Sequence, residues 1–341
     1  MIKPKILAIQ FKYLGDAVFI TPSLHAIKKQ FPDSEIHVLV SNEVAPLLIH
    51  ITWITKIWIL PRIHKKLQLS KLLPLLFSLC RENFTHSVDF VGNDRGAILS
   101  FLIHTKLRLG PVSSKPKFLQ RIAYNQPIPI SSLPVSWIDR HLSMLNQAWN
   151  TPILNSKRMY ISSDKNLCLM AESMLNNHSI ICHMGTSQPK KEWPIKYWQE
   201  LFYLAKTSNI KLAFTAGPNL REQNLLLDLK KAEPEIFALP PINDLNLFLA
   251  ILNQAKLVIV GDTGPLHFAS ALGTNVIGLF GTYDSIKHAA PIYCKDDAII
   301  SNNCYCINDL LHQNICHSDT PCMQSISPRQ VFELLRNKLD I

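Results

Sequence analysis

Glycine is scarce in this chain, 11 residues in 341 against 22 prolines. None of the glycines forms a G-x-G-x-x-G run after the first strand-like segment, so a nicotinamide cofactor is not favoured there. Acidic residues are also few, 25 against 35 Lys and Arg, which leaves a formal charge of +10. No stretch of roughly 20 residues is cleanly apolar, so no segment qualifies as a membrane-spanning helix. The nearest are residues 44–60, interrupted by His50 and Lys56, and residues 67–80, interrupted by Lys71 and Pro74. Both suit buried elements or a surface that touches lipid. A charged leader with an apolar core and a small-residue cleavage site is missing too. "MIKPKILAIQ" runs straight into a strand, so a cytoplasmic protein is expected. There is no low-complexity segment or internal repeat. No helix-turn-helix, zinc-finger or RNP-like pattern points to nucleic acid.

What is present is a long apolar chain. Its 341 residues with 47% hydrophobic content suit two globular domains. The positive charge is unevenly spread. Residues 1–150 hold 18 Lys and Arg against 8 Asp and Glu, and residues 151–341 hold 17 of each. The basic half concentrates anions, either phosphorylated substrate or an acidic lipid surface. Of eight cysteines, Cys80, Cys168 and Cys182 sit in apolar contexts and read as small buried hydrophobes. Cys294, Cys304, Cys306, Cys316 and Cys322 crowd the last fifty residues with His312 and His317. Their spacing fits no common zinc pattern, and a disulfide does not suit a reducing compartment.

Strand-like and helix-like runs alternate, the pattern of a parallel sheet covered on both faces. In the first half the strands are "KILAIQ", "EIHVLV", "IWIL", "HSVDFV" and "KLRLG". Ile20, Leu24, Ile27 and Phe31 fall at helical spacing after the first. Residues 111–137, with five prolines, read as irregular chain. Residues 137–150 read as a helix with Ile138, Leu142, Leu145 and Trp149 inward, and 151–165 as an extended linker. The rhythm then restarts with "SIICHM", "KLAFTAG", "EIFALP", "KLVIVG" and "NVIGLF". A final amphipathic helix begins with Ser327 as N-cap and Pro328 in the first turn. The expected architecture is α/β, with two doubly wound domains facing across a cleft and ligands beyond the carboxyl ends of the strands.

Four segments follow strand ends. "QFKYLGDAVFITPSL" places Gly15 at a turn and Asp16 at a helix start, where the carboxylate is either an N-cap or a general base. "HMGTSQPKKEWP" offers Thr186, Ser187, Lys190 and Lys191 to phosphate oxygens, or is an ordinary polar loop. "AGPNLREQN" puts Glu222 in a first helical turn, with ribose hydroxyls as the functional alternative. "GDTGPLHFASALG" carries Asp262, Thr263, Gly264 and His267 into a helix N-terminus, whose unpaired N–H groups suit a diphosphate as well as a simple cap. "GLFGTYD" adds Gly281 and Thr282 at the next strand end.

Together these segments resemble glycosyltransferase family 9, the bacterial lipopolysaccharide heptosyltransferases. The likeness rests on the L-G-D turn, the T-P-x-L helix, the K-x-W-P segment, the D-T-G-x-x-H-x-A-x-A-L-G block and the closing C-M-x-x-I-x-x-x-x-V run. It spans nearly the whole chain in order. The resemblance implies a GT-B fold of two Rossmann-like domains. It implies an acceptor-binding domain at 1–155, a nucleotide-sugar domain at 156–326, and a helix at 327–341 that packs back on the first. It also implies inverting transfer of heptose from ADP-heptose to the inner core on a lipid A anchor, with no metal or other cofactor. The enzyme would work at the cytoplasmic face of the inner membrane, without a transmembrane segment and without nucleic acid.

Carried onto matching positions, Asp16 is the base. Lys191 neutralises the leaving diphosphate, and Thr186 and Ser187 hold phosphate oxygens. Asp262, Thr263, Gly264 and His267 cradle diphosphate and sugar, and Glu222 holds the ribose. Lys12 and Gly15 face the acceptor. The chain departs from the family where Gln10, Phe11, Lys12 and Tyr13 replace an Arg and small polar residues, which bears on acceptor identity. Transfer from another nucleotide sugar and non-catalytic binding of a nucleotide sugar remain the alternatives.

Overall fold

A computed structural model of the protein describes residues 3–11, 14–63, 66–153, 157–281, 288, 298–301 and 322–341. The chain divides into two compact units, residues 1–162 and 163–341. Each is built on one six-stranded parallel sheet.

In the first unit the strands are β1 (Lys5–Ile9), β2 (Glu35–Ser41), β3 (Lys56–Leu60), β6 (His86–Asp89), β7 (Leu107–Val112) and β8 (Gln126–Pro129). Between β3 and β6, β4 (Arg62–Ile63) and β5 (Lys66–Leu67) form a separate antiparallel ribbon. The sheet order is β3-β2-β1-β6-β7-β8. The second unit contains β9 (Ile180–His183), β10 (Leu212–Thr215), β11 (Phe237–Ala238), β12 (Leu257–Gly261), β13 (Asn275–Phe280) and β14 (Ala298–Ile300), in the order β11-β10-β9-β12-β13-β14. Each sheet thus starts in its centre, grows by two strands to one side, then by three to the other. That is the doubly wound order, and its reversal point lies beside the first strand of each unit.

Burial explains why these segments are strands. Ile6, Leu7, Ala8 and Ile9 of β1 and Leu257 to Val260 of β12 are fully buried, so both faces of each strand are covered. A continuous apolar run suits that environment better than an alternating one. Register is parallel throughout, with Ile6 opposite Ile36 and His86, and Val258 opposite Val276 and Ile181. One core of the second unit joins Trp198, Phe214, Ile259 and Leu279 to Val331 and Leu335 of the C-terminal helix.

The structure departs from the sequence expectations in its reading of residues 111–137 and of the scattered cysteines. Residues 111–137 are not wholly irregular: Phe118–Ala123 is a helix and β8 is a strand containing Pro127 and Pro129. Proline is tolerated because β8 is the edge of its sheet, where a missing N–H breaks no inner ladder. The first compact unit runs through Ser162. The backbone N–H of Tyr160 donates to Thr21 Oγ1 at 2.8 Å, Ser162 Oγ donates to the His50 carbonyl at 3.0 Å, and Met159 is fully buried. Those bonds hold the extended segment on the first unit.

The C-terminal helix, Pro328–Lys338, packs against the helix Ile195–Thr207 within the second unit. Trp193 Nε1 donates to the Ile326 carbonyl at 2.9 Å beside it. The expected Ser327 cap is present, as a reciprocal box with Gln330. Finally, only Cys182 of the three scattered cysteines is buried. Cys80 is exposed, on the outer side of the helix Leu69–Arg81, and Cys168 is half-buried. The cluster Cys294, Cys304, Cys306 and Cys316, with His312 and His317, lies outside the described residues. Among the described residues no group of three or more His, Cys, Asp and Glu stands together, and no helix is long and apolar enough to cross a membrane.

Candidate functional site

In the first unit the chain leaves β1 at Ile9 and enters a short helix, Leu14–Phe19, with Asp16 in its first turn. Gly15 lies inside that helix rather than at a separate turn, and Lys12 lies outside the described residues. Asp16 is half-buried and lines a small cavity with Gln10, Phe90, Trp137 and His141. His141 comes from the far helix Trp137–Trp149, a contribution invisible to local motif reading. Burial holds its imidazole neutral, with the pKa lowered to about 4, against the raising effect of a hydrogen bond to the Phe19 backbone. Its Nδ1 is buried without a hydrogen-bond partner among the described residues. The cavity therefore brings a neutral ring and a half-buried carboxylate together.

The second unit gathers four strand-end loops. After β9, Gly185, Thr186 and Ser187 lead to a 3-10 turn, Pro189–Lys191. Thr186 is buried and its hydroxyl donates to the Gln188 carbonyl at 2.7 Å, while Ser187 is exposed. Lys191 Nζ stands 2.5 Å from Asp262 Oδ2, which lies just beyond β12. The carboxylate side is 8% exposed and the ammonium side 26%. Gly261 lets the loop after β9 pack close, because a Cβ there would lie 3.1 Å from Thr186 Cγ2 and 3.4 Å from the Lys191 carbonyl oxygen.

Beyond β12, Thr263 is the N-cap of the helix Gly264–Leu272, with Pro265 in the first turn. The Thr263 side chain makes no capping bond. The helix ends at Gly273, whose φ of 88° is left-handed. His267 is buried and its pKa is lowered to about 4. Desolvation is the main cause; Asp262 pulls the value up and Lys191 pushes it down. The ring is therefore a neutral neighbour of the Lys191–Asp262 pair. A second buried ring, His183 at the end of β9, is likewise held neutral near 4 by desolvation.

Glu222 joins the loops after β9 and β10. The helix Leu220–Ala232 is capped by Asn219, whose Oδ1 accepts from the Glu222 N–H at 3.0 Å. Glu222 Oε2 accepts from the Gly217 N–H at 2.9 Å, and Oε1 accepts from Asn219 Nδ2. A Cβ on Gly185 would come 1.9 Å from Oε2 and one on Gly217 2.2 Å. Both glycines are thus required by the carboxylate lying between them. Sequence reasoning treated Gly185, Gly217 and Glu222 as parts of two motifs, and they form one contact.

Arg221 was missed altogether. Its guanidinium donates to the Thr186 carbonyl, pairs with Glu192, and lies 3.6 Å from Glu222 Oε1. It ties the loop after β9 to the helix after β10. The local signal was only a basic residue in a first turn, the end of a helix where a cation is normally unfavourable. Thr282 lies outside the described residues; Gly281 ends the described chain after β13 and its added Cβ would meet Cys322 Sγ at 2.8 Å.

The second unit therefore holds a cluster in which Lys191, Asp262, His267, Thr186, Arg221 and Glu222 all lie at the carboxyl end of one parallel sheet, where such sheets bind nucleotides. The cation, the exposed hydroxyl of Ser187 and the helix start at Thr263 and Gly264 are donors suited to phosphate.

Comparisons with known proteins bear on the family and the fold. The family "Glycosyltransferase family 9 (heptosyltransferase)" matches residues 73–318. Lipopolysaccharide heptosyltransferase 1 of Campylobacter coli is 28% identical over 298 residues, covering 84% of this chain and 86% of its own. The structure of Escherichia coli ADP-heptose LPS heptosyltransferase II superposes with a TM-score of 0.77 at 14% identity, over 98% of both chains. A glycosyltransferase family 9 structure from Veillonella parvula gives 0.76 at 18% identity, over 98% of this chain and 97% of that one. With most of its length matched by the family and both sheets in doubly wound order, the chain has the GT-B fold and belongs to glycosyltransferase family 9, the heptosyltransferases, and is a glycosyltransferase.

Proposed function

We propose that the protein moves heptose from ADP-heptose onto the inner core of lipopolysaccharide, with inversion at the anomeric carbon. The observation that carries this reading is the convergence of Lys191, Asp262, His267, Arg221 and Glu222 at the strand ends of the second unit. Relatives named lipopolysaccharide heptosyltransferases 1, 2 and 3 support the substrate class. In this reading residues 163–341 hold the nucleotide sugar and residues 1–162 hold the acceptor.

Asp16 accepts the proton of the acceptor hydroxyl as its oxygen attacks the anomeric carbon. The bond from that carbon to the diphosphate breaks, and ADP leaves with the electron pair. Lys191 and the helix start at Thr263 and Gly264 stabilise the charge that develops on the diphosphate. Asp262 fixes the Lys191 ammonium through their short ion pair. Thr186 and Ser187 offer hydroxyls to phosphate oxygens. Glu222 accepts from a ribose hydroxyl while its other bonds hold its rotamer. Gly15 and Lys12 belong to the acceptor side. The reaction transfers a group without redox change, and the reading assigns it no cofactor and no metal.

The basic first half supports an acceptor that carries phosphates and acidic sugars on a lipid anchor, and the reading assigns the enzyme to the cytoplasmic face of the inner membrane. Mass spectrometry of the lipopolysaccharide core from cells lacking the protein tests the whole reading. Loss of one heptose is expected, and an unchanged core overturns it. Calorimetry tests the donor separately: ADP is expected to bind more tightly than UDP, and the reverse order sinks the heptose assignment.

A further inference from the structure

Three helices of the first unit present apolar side chains to solvent side by side. On Leu69–Arg81, Leu72, Leu75, Leu76 and Leu79 pack inward, yet Leu73 and Phe77 are 71% and 58% exposed. On Asp94–Ile103, Ala97, Leu99 and Ile103 pack inward, and Ile98, Phe101 and Leu102 are exposed. This second helix is apolar on nearly every side, a composition that in water belongs to a helix covered all round. On Phe118–Ala123, Ala123 is buried and Phe118, Leu119 and Ile122 are exposed, Phe118 by 74%.

These helices are neighbours. The middle one packs against each of the others. Cys80 Sγ lies 3.5 Å from the Leu102 carbonyl, and Lys117 Nζ pairs with Asp94 at 3.0 Å. The exposed apolar residues are therefore one face built from three elements rather than scattered single side chains, and such faces mark interaction surfaces.

Cations surround it. Lys71, Arg81, Arg95, Lys115, Lys117 and Arg121 are all exposed on or beside the same helices. Arg81 lies over the Phe77 ring at 4.1 Å. Of the carboxylates between residues 69 and 123, Asp89 is fully buried, Glu82 is paired with Lys5 and Lys56, and Asp94 is paired with Lys117. Apolar side chains ringed by a net positive charge match a bilayer with anionic headgroups, which takes the first into its acyl boundary and the second at its surface.

We infer that the face formed by Leu69–Arg81, Asp94–Ile103 and Phe118–Ala123 docks the protein onto an anionic phospholipid bilayer, with Leu73, Phe77, Phe101 and Phe118 entering the lipid and the surrounding cations pairing with headgroups. The inference rests on the membrane reading above and names the surface that performs it. The Leu69–Arg81 helix covers one of the two segments whose sequence comes nearest to a membrane span, and its role is interfacial.

Co-sedimentation of the full chain with vesicles tests this, with neither acceptor nor nucleotide sugar present. Vesicles of phosphatidylglycerol and phosphatidylcholine are expected to bind the protein at least tenfold better than phosphatidylcholine alone, and 0.5 M salt should weaken that binding several-fold. The combined variant Leu73→Gln, Phe77→Gln and Phe118→Gln should lower binding tenfold or more while circular dichroism and the melting curve stay as in the parent. A second variant, Arg95→Gln with Arg121→Gln, should abolish the preference for anionic vesicles and leave the fold intact. Equal binding of parent and both variants overturns the inference. So does light scattering that shows the parent as a dimer dispersed by the apolar variant, since the face would then be covered by a second copy. Because the vesicles contain no sugar acceptor, a negative result here leaves the transfer assay as an independent test of the proposed reaction.

Discussion

The Lys191 ammonium and the Asp262 carboxylate stand 2.5 Å apart, although 71 residues separate them in the chain. Lys191 ends a turn after β9 and Asp262 follows β12, and these two strands are hydrogen-bonded neighbours. The pair exists because the doubly wound order puts the fourth strand of the unit beside the first. Replacing Lys191 by Met leaves a carboxylate that is 8% exposed without its counter-ion. We expect a stability loss of about 2 kcal/mol, below the range for a wholly buried pair because the lysine is partly solvated. We also expect roughly a hundredfold fall in kcat, the scale of a lost electrostatic donor. Urea melts and steady-state kinetics check the two effects; unchanged kcat removes Lys191 from the diphosphate site.

Gly185 and Glu222 form the second testable contact. A Cβ at position 185 would lie 1.9 Å from Oε2 and 2.7 Å from Cδ of Glu222. Gly185→Ala should cost about 2 kcal/mol through overpacking and weaken ADP binding. Combining it with Glu222→Ala removes the obstructing atoms, so stability should recover to within about 1 kcal/mol of Glu222→Ala alone, the signature of coupled residues. ADP binding should stay weak in the double variant. Purely additive melts would show that the two residues do not compete for the same space.

Asp16→Ala tests the base. Turnover should fall by a thousandfold or more, about 4 kcal/mol in barrier, while ADP binds as in the parent protein. Transfer at close to the parent rate sinks the assignment.

Three buried imidazoles, His141, His183 and His267, set a pH dependence of stability. Each titrates near 6.5 when exposed and near 4 in the folded protein, because desolvation disfavours the charged ring. Between those values the unfolded chain binds more protons than the folded one. Stability is therefore fully present above about pH 6.5 and falls as pH drops towards 4, by up to about 3 kcal/mol for each ring. Denaturant melts at pH 7.5, 6 and 5 should show the decline, and His183→Gln should reduce it by about a third. A slope identical in the variant would assign the acid sensitivity to other groups.

The C-terminal helix supplies Val331 and Leu335 to the core of the second unit. Leu335→Ala should destabilise that unit by about 3 kcal/mol. Thermal melts followed by tryptophan fluorescence, sensitive to Trp193 and Trp198 in the same core, would register a loss below 1 kcal/mol as evidence that the helix is dispensable.

The strands and most site loops were legible because each is a local pattern. An apolar run with no alternation, such as "KLVIV", is readable as a strand covered on both faces, and the residues that follow it must then lie at a sheet end. Asp262, Thr263 and Gly264 were readable for that reason, as was the Ser327 cap. Other features were not legible because their cause lies elsewhere in the chain. β8 reads as a proline-rich loop until its place at the sheet edge is known. Residues 157–162 read as a linker until Thr21 and His50 are seen to hold them.

The same division applies to the protein as a whole. Periodicity, charge distribution and motif order by themselves determined the two-domain α/β architecture, the family likeness and the strand-end positions of its polar residues, since each depends on neighbours in the chain. Only the tertiary structure decided which of those residues meet. It paired Lys191 with Asp262, wedged Glu222 between Gly185 and Gly217, brought His141 to Asp16 and set three helices with exposed apolar side chains next to one another. Those contacts depend on strand order and helix packing across long sequence separations, where burial and close approach act and local pattern carries no information.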